Sequence, residues 1–374
     1  MGGLAAKYGE LVDYTGGLIL WHMLPEDQPA LFMPATIDIE DPDQLIVYLQ
    51  QNGYIAPGEE ARVTVLRGGV SNRTVLVERD GEAWVLKQAL AKLRVAVDWY
   101  ADPERIHREA LGLRWLEILA PSGCVPGLVF EDRQEHILAM QAVPQPHANW
   151  KGLLLQGELN AKYVAQFARL LGTIHRESHL RQAEVAPVFE DRSYFESLRL
   201  EPYYRYTAQQ IPEAADFLDR LIADTRATRQ ALVHGDYSPK NILVHQGRLV
   251  LLDHEVIHFG DPAFDVGFSM THFLSKAHHL PHIRDRFVHA ALDYWQGYWN
   301  SIYDLPWAAN LERRAARHTL GCLLARVAGR SPLEYLDSSE QARQQRAVVH
   351  LMRHPPQSIP ELVPSFSQAI KDET

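Results

Sequence analysis

The chain has 374 residues, 46% hydrophobic and 22% charged, with a net charge of −10, which excludes disorder as the default and is enough for two lobes around a cleft. The negative balance argues against a nucleic-acid partner held by phosphate contacts, although an acidic patch would still attract a cationic substrate. Cys124 and Cys322 alone make neither a disulfide framework nor a zinc set, and no apolar run reaches the about 20 residues of a bilayer span, so a cytoplasmic protein without membrane contact is expected.

Residues 1–32 show no clear period and read as an extension, with the globular unit beginning near Met33. Asp41-Pro42 then has the form of an N-cap followed by a first-turn proline, predicting a helix over the residues that follow. Three strand-like runs come next, Arg62 to Leu66, Thr74 to Glu78 and Ala83 to Gln88. Asp80-Gly81 joins the last two as a hairpin, which predicts an antiparallel sheet. A helix is expected from Pro103 to Ala120 with Asp102 as N-cap, and a strand from Ile137 to Ala142. Pro144 and Pro146 break regular structure there, so the small lobe is read as 33–143 and the large one as 144–374.

Beyond that boundary the period turns helical, over Ala161 to Glu177, Ala214 to Ala227 and Val288 to Ile302. One short β unit interrupts the helices: Val233 to Asp236, Asn241 to Val244 and Leu249 to Asp253, the last two joined at Gln246-Gly247. This unit holds the densest chemistry in the chain. It reads Val233-His234-Gly235-Asp236-Tyr237-Ser238-Pro239-Lys240-Asn241, then Leu252-Asp253-His254-Glu255. An acid at a strand end, an amide five residues on and a second acid after a hairpin gather oxygen atoms suited to a hard cation and a nucleophile.

These residues resemble the signature of the aminoglycoside phosphotransferase and choline kinase-like family, His-Gly-Asp, Asn five residues later, then Asp-x-Asp/Glu. The resemblance implies an α/β, or α+β, protein-kinase-like fold and transfer of a phosphoryl group from ATP, or GTP, to a small-molecule hydroxyl acceptor. It makes Asp236 the catalytic base and Asn241 and Asp253 the Mg2+ ligands, with Glu255 near the metal. His234 is expected to brace the loop as a packed, hydrogen-bonded residue.

The first half of the chain tests that reading independently, because a kinase needs a phosphate-covering loop, a strand lysine and a helix acid to hold the lysine. Gly68-Gly69-Val70-Ser71-Asn72 supplies small residues between strands, with Gly69, Ser71 and Asn72 as candidate phosphate contacts, although such glycines also make ordinary turns. Strand alternation puts Val85 and Lys87 on one face of the third strand and Trp84 and Leu86 on the other. On the helix that follows, Ile106, Ala110, Leu113 and Leu116 form an apolar stripe, and Glu109 falls inside it. A carboxylate there requires a cation, and Lys87 is the candidate. Leu86-Lys87-Gln88-Ala89-Leu90 with Leu93-Arg94 also looks like the lysine strand of methylthioribose kinases. Gln141 to Val143 occupies the place where kinase-like folds contact adenine, with Gln141 and Val143 as candidates.

Gly235 precedes Asp236 where protein kinases carry an arginine, and only Asp261 and Asp265 follow Asp253 before the next helical pattern, so the acceptor is expected to be small. Asp261 is expected to order the turn at Pro262. Asp265 is expected to cap the helix or hold the catalytic loop. The aromatic stripe Leu292, Tyr294, Trp295, Tyr298, Trp299 and Ile302 reads first as core, with stacking of a sugar or caging of a quaternary ammonium as the alternative. The acids Glu190, Asp191, Glu196, Glu201, Glu213, Asp216 and Asp219 read first as solvated surface, with attraction of a cationic aminoglycoside as the alternative. The histidines at 272, 278, 279, 282 and 289 fit no zinc spacing. Ser331-Pro332-Leu333-Glu334 matches a capping box after a helix stop at Gly329. A nucleotide-binding regulatory protein of the same fold is the alternative; it would be expected to lack the base, the lysine or a metal ligand, and none is missing.

Overall fold

The computed structural model describes residues 37–66, 71–94 and 100–373. The expectation about 1–32 concerns residues outside these. Helix α1 (Pro42–Gln51) begins as read, with the Asp41 side chain accepting from the Asp43 and Gln44 N–H groups. It is followed by β1 (Ala61–Val65), β2 (Asn72–Arg79), β3 (Glu82–Ala89), α2 (Arg105–Leu119), β4 (Leu128–Asp132) and β5 (Ile137–Gln141). The five strands form one antiparallel sheet in the order β1-β2-β3-β5-β4. Strand β4 was not foreseen: Leu128-Val129-Phe130-Glu131-Asp132 has no polar alternation, because this edge strand is partly covered on both faces.

Strand alternation sorts the sheet into two cores. One face, with Trp84, Leu86, Val75 and Val77, packs against Leu45 and Leu49 of α1. The other, with Leu138, Met140 and Val85, packs against Ile106, Ala110 and Leu113 of α2. Lys87 shares that second face, so the alternation aims it at α2. Helix α2 starts two residues later than expected, at Arg105, because Asp102 accepts the Glu104 N–H in a preceding turn.

The large lobe contains β6 (His147–Asn149), α3 (Trp150–Leu155), α4 (Ala161–Leu180), α5 (Gln182–Val188) and α6 (Ser193–Phe195). A π-helical stretch, Glu196–Arg205, runs into α7 (Tyr206–Gln210), then α8 (Ala215–Ala227), β7 (Ala231–Val233), β8 (Ile242–His245), β9 (Arg248–Leu251) and β10 (His258–Gly260). Helices α9 (Pro262–His279), α10 (Arg284–Ile302), α11 (Ala308–Ala328), α12 (Ser338–Arg353) and α13 (Ile359–Asp372) close the chain. Strands β6, β8 and β9 form one small sheet and β7 pairs with β10 in another. The β8–β9 hairpin turns at Gln246-Gly247 with φ of 47° and 75°, the left-handed pair that a two-residue loop requires.

Tyr294, Tyr298 and Ile302 on α10 are buried in the core of this lobe, as the core reading of the aromatic stripe expected. Glu196 pairs with Arg226 and Asp191 with Arg108 at the surface. No helix starts at Ser331. Gly329 ends α11 as expected, but the capping box is built three residues beyond the expected stretch, by Asp337 and Glu340 at the start of α12. Glu334 is instead paired with Lys151 of α3. No helix among the described residues is long and apolar enough to cross a membrane.

Candidate active site

The sheet and α2 bring Lys87 and Glu109 together. The Lys87 ammonium lies 2.7 Å from Glu109 Oε1, with Glu109 fully buried. The same nitrogen is 3.3 Å from Asp253 Oδ1 of the large lobe. Burial disfavours charge on Lys87, but the two carboxylates outweigh it and hold its pKa above the ordinary value. Burial pushes Glu109 upward to about 7, with Lys87 opposing and Asp253 adding repulsion. Asp253 is half-buried, and although burial opposes its charge, Lys87, then Lys240 and Arg199, hold its carboxyl well below the usual range. One cation therefore carries two acids of unequal basicity, with Asp253 the anionic member.

The loop after β7 is fixed from behind by α9. Asp265 accepts from the backbone N–H of His234 at 2.7 Å and of Gly235 at 2.8 Å, and takes His175 Nε2 at 3.2 Å. Of its two expected duties, then, Asp265 holds the loop; capping falls to Asp261, which accepts the Ala263 N–H and an Arg314 guanidinium. Gly235 has φ of 77°, and a Cβ there would meet Val256 Cγ2 at 2.8 Å. No side chain fits that position without strain, which is why glycine precedes Asp236.

His234 braces the same turn. Its Nδ1 accepts the Asp236 N–H at 3.2 Å and its Nε2 faces the Leu252 carbonyl at 3.2 Å, which requires the proton on Nε2. Burial lowers its pKa, so the imidazole is the neutral form this bonding needs. The Asn241 amide nitrogen donates to Asp236 Oδ2 at 2.9 Å and to the Asp236 carbonyl at 3.0 Å. That commits the nitrogen and leaves the amide oxygen for a cation. The Leu252 N–H donates to the Asn241 carbonyl at 2.9 Å, which sets Asn241 beside the strand end that delivers Asp253. Asp253 itself has φ of 70° and so departs from the line of β9.

Two arginines that sequence reasoning missed complete the arrangement. Arg199, on the π-helical stretch, lies 3.0 Å from Asp236 Oδ2 and donates to the Gly235 carbonyl at 2.8 Å. Arg105, the first residue of α2, is fully buried and pairs with Glu255 Oε2 at 3.1 Å. It also donates to the Ser71 and Leu90 carbonyls, so it ties Ser71, Leu90, α2 and Glu255 into one unit. Burial and the nearby Asp253 raise the Glu255 pKa, with Arg105 the largest opposing influence.

Gly69 lies outside the described residues. Asn72 is buried and donates to Ser71 Oγ at 3.2 Å. At the end of β5, the Gln141 N–H is committed to the Gly127 carbonyl and that of Ala142 to the Ala83 carbonyl. Val143 follows directly, its carbonyl taken by His147 at 3.0 Å. Among the described residues, one separate group of metal-type donors gathers: Glu104, His107 and His136. Glu131 takes His107 Nδ1 at 2.8 Å, and His107 Nε2 faces His136 Nδ1 at 3.3 Å. The histidines from 272 to 289 form no such group.

Residues 62–305 match the phosphotransferase enzyme family, and the chain belongs to it. Methylthioribose kinase 2 of Oryza sativa subsp. japonica is 26% identical over 260 residues, which cover 61% of this chain and 60% of that protein. The chain thus spans less than two thirds of that relative's length. A choline/ethanolamine kinase family protein from Mesorhizobium loti shares the fold, with a TM-score of 0.53 at 14% identity over 88% of this chain and 99% of that one. An amicoumacin kinase solved with AMP-PNP, Ca2+ and Ami does so too, with a TM-score of 0.52 at 16% identity over 84% of this chain and 95% of that one. The two-lobe kinase-like architecture expected from the sequence is the one these structures share.

Proposed function

We propose that this chain is a small-molecule kinase that transfers the γ-phosphoryl group of ATP, or of GTP, to a hydroxyl of a small acceptor such as a sugar, an amino alcohol or an aminoglycoside. The observation that carries the reading is the convergence of Lys87, Glu109 and Asp253 in one ion triad, with Asp236 and Asn241 hydrogen-bonded on the adjoining loop. Phosphoryl transfer is mostly positioning plus electrostatic stabilisation, and each part has a residue here.

Lys87, held by Glu109, presents its ammonium to the nucleotide phosphates, with Gly69, Ser71 and Asn72 as the candidate residues contacting them. The Val143 N–H, just past the committed Gln141 and Ala142, is the backbone donor for the base, and Gln141 lines its approach. The Asn241 amide oxygen and the Asp253 carboxylate are hard oxygen donors that fit Mg2+; when bound, the ion would neutralise charge on the phosphate oxygens. Glu255, anchored by Arg105, stays near that pair and adds negative potential. Asp236 accepts the proton of the attacking hydroxyl and orients it toward phosphorus. Arg199 fixes the Asp236 carboxylate and is a positioning residue.

The test is ADP or GDP release by purified protein with Mg2+ against a panel of sugars, methylthioribose, amino alcohols, aminoglycosides and macrolides. Release that depends on both an acceptor and Asp236 supports the proposal. Magnesium-dependent nucleotide binding without turnover on any acceptor contradicts it.

A further inference from the structure

We propose that the acceptor carries an anionic group, a carboxylate or a phosphate, that docks between Lys276, Arg326 and Lys151; this rests on the kinase reading above. On α9, Asp265 and Ser269 face the catalytic loop, Asp265 through the His234 and Gly235 N–H groups and Ser269 through the Tyr237 carbonyl at 2.9 Å. Positions 265, 269, 272 and 276 recur at helical spacing, so His272 and Lys276 continue that face, ending about 10 Å beyond Ser269.

Lys276 is fully buried, and among the described residues its ammonium meets the His272 carbonyl at 3.4 Å and the face of Tyr335 at 5.3 Å. Among the described residues no carboxylate pairs with it. Burying an ammonium without a counter-ion is strongly unfavourable, and a methionine would fill the same volume without that cost. Its surroundings add positive charge. Lys151 lies 6.0 Å from the centre of the same Tyr335 ring, and among the described residues the Arg326 guanidinium donates to the Tyr203 hydroxyl and Ser331 oxygens. The acid in the group is Glu334, exposed and already paired with Lys151. Burial, then Lys151 and Arg326, push Lys276 down to about 7, with Glu334 opposing. His272 Nε2 is buried without a hydrogen-bond partner, as is Arg326 Nε.

The cluster adjoins the reacting groups. The centre of the Tyr203 ring lies 5.7 Å from the Arg326 guanidinium and 5.8 Å from that of Arg199, the partner of Asp236. Asn149, the residue before α3, donates to the carbonyl of Lys240 in the catalytic loop at 2.6 Å, which sets Lys151 beside that loop. Lys240 is itself among the cations that depress His272. Lys151, Arg326 and Tyr335 are partly exposed, so the group borders solvent. An anion entering there would be the missing counter-ion of Lys276, and a hydroxyl on the same molecule would extend toward Asp236.

The test compares matched acceptors, polyhydroxy carboxylates with their amides and sugar monophosphates with the parent sugars, by ADP release in wild type, Lys276→Met and Arg326→Gln. Wild type is expected to favour the anionic member in kcat/KM by roughly 10- to 100-fold, as for a hydrogen bond to a charged group. Either variant is expected to raise KM for it by a similar factor and so erase the preference. Asp236-dependent release with neutral or cationic acceptors, and none with anions, overturns the anionic acceptor while sparing the transfer reaction. No Asp236-dependent nucleotide turnover, on acceptors or on water, overturns the reaction itself. A second measurement decides the case in which only water reacts: inorganic phosphate added to enzyme saturated with ADP and Mg2+ is expected to raise the melting temperature of wild type and of neither variant. An equal shift in all three, or none in wild type, overturns the site.

Discussion

Lys87 on β3 sits 2.7 Å from Glu109 and 3.3 Å from Asp253, so one ammonium joins the helix of the small lobe to the loop after β9 in the large lobe. Removing it leaves Glu109 buried without a cation. Burial alone already raises Glu109, and Lys87 is what holds it down. In Lys87→Met the carboxyl therefore rises further above its unfolded value. A carboxyl raised in the folded state favours folding where it is protonated and loses that as pH climbs, so the defect should grow with pH. Lys87→Met is expected to be less stable than wild type by about 3 kcal/mol at pH 8 and by less at pH 6. Urea unfolding at the two pH values checks this. An equal deficit at both would mean that Glu109 does not titrate in the core.

Arg199 touches Asp236 and the Gly235 carbonyl but lies on the large-lobe side of the catalytic loop. Its loss should therefore damage positioning more than nucleotide capture. Arg199→Met is expected to lower kcat by roughly 10- to 100-fold with KM for ATP changed little, a loss specific to the transition state. Steady-state kinetics separate the two parameters. A large rise in KM for ATP at constant kcat would assign Arg199 to ground-state binding instead.

Asp253 is the more strongly ionised member of the triad. In Asp253→Asn the Mg2+ concentration needed for half-maximal turnover should rise by at least about 10-fold, and turnover should vanish in EDTA for both proteins. A magnesium titration at fixed ATP reads this. An unchanged metal requirement would remove Asp253 from the metal site.

His258 is buried against Phe195, and burial lowers it to about 4. A histidine depressed in the folded state takes up its proton first in the unfolded chain, so folding stability is lost as pH falls below about 6.5 and levels only near the folded value. His258 alone contributes about 3 kcal/mol to that loss. Asp261 and Asp265, both lowered in the folded state, extend it in the same direction below the carboxylate range. Glu109, raised to about 7 in the folded state, acts in the opposite sense over this range, so the comparison is with His258→Gln, whose denaturation midpoint should fall less between pH 7 and pH 4 than that of wild type. An equal fall in both would show that His258 ionises in place.

Much of the site was legible because its chemistry is local in sequence. The His234 to Asn241 run, Asp253 and Asp265 lie close together along the chain, and hairpin signals set their spacing. Glu109 was legible for a different reason: an acid inside an apolar stripe demands a cation, and strand alternation left Lys87 as the one to supply it. Arg199 and Arg105 were not legible. Arg199 lies in a polar stretch whose π-helical winding around Pro202 breaks the 3.6 period. Arg105 reads as an ordinary first-turn residue until Glu255, 150 residues away, meets it. The capping box was misplaced because Ser331 and Glu334 satisfy the local pattern, while tertiary contacts claim them for Arg326 and Lys151. Lys276 reads as a helix-surface lysine, and only the packing of α3 and the 331–335 segment around it shows that it is buried.

The central claim is that Asp236 serves transfer and not nucleotide binding. The direct measurement is transfer of labelled γ-phosphate from ATP to an accepted hydroxyl by Asp236→Asn, beside a thermal shift with ATP and Mg2+ on the same preparation. The account expects transfer to fall by roughly 100-fold or more while the nucleotide-induced shift matches wild type. Transfer at the wild-type rate with an unchanged shift would contradict it.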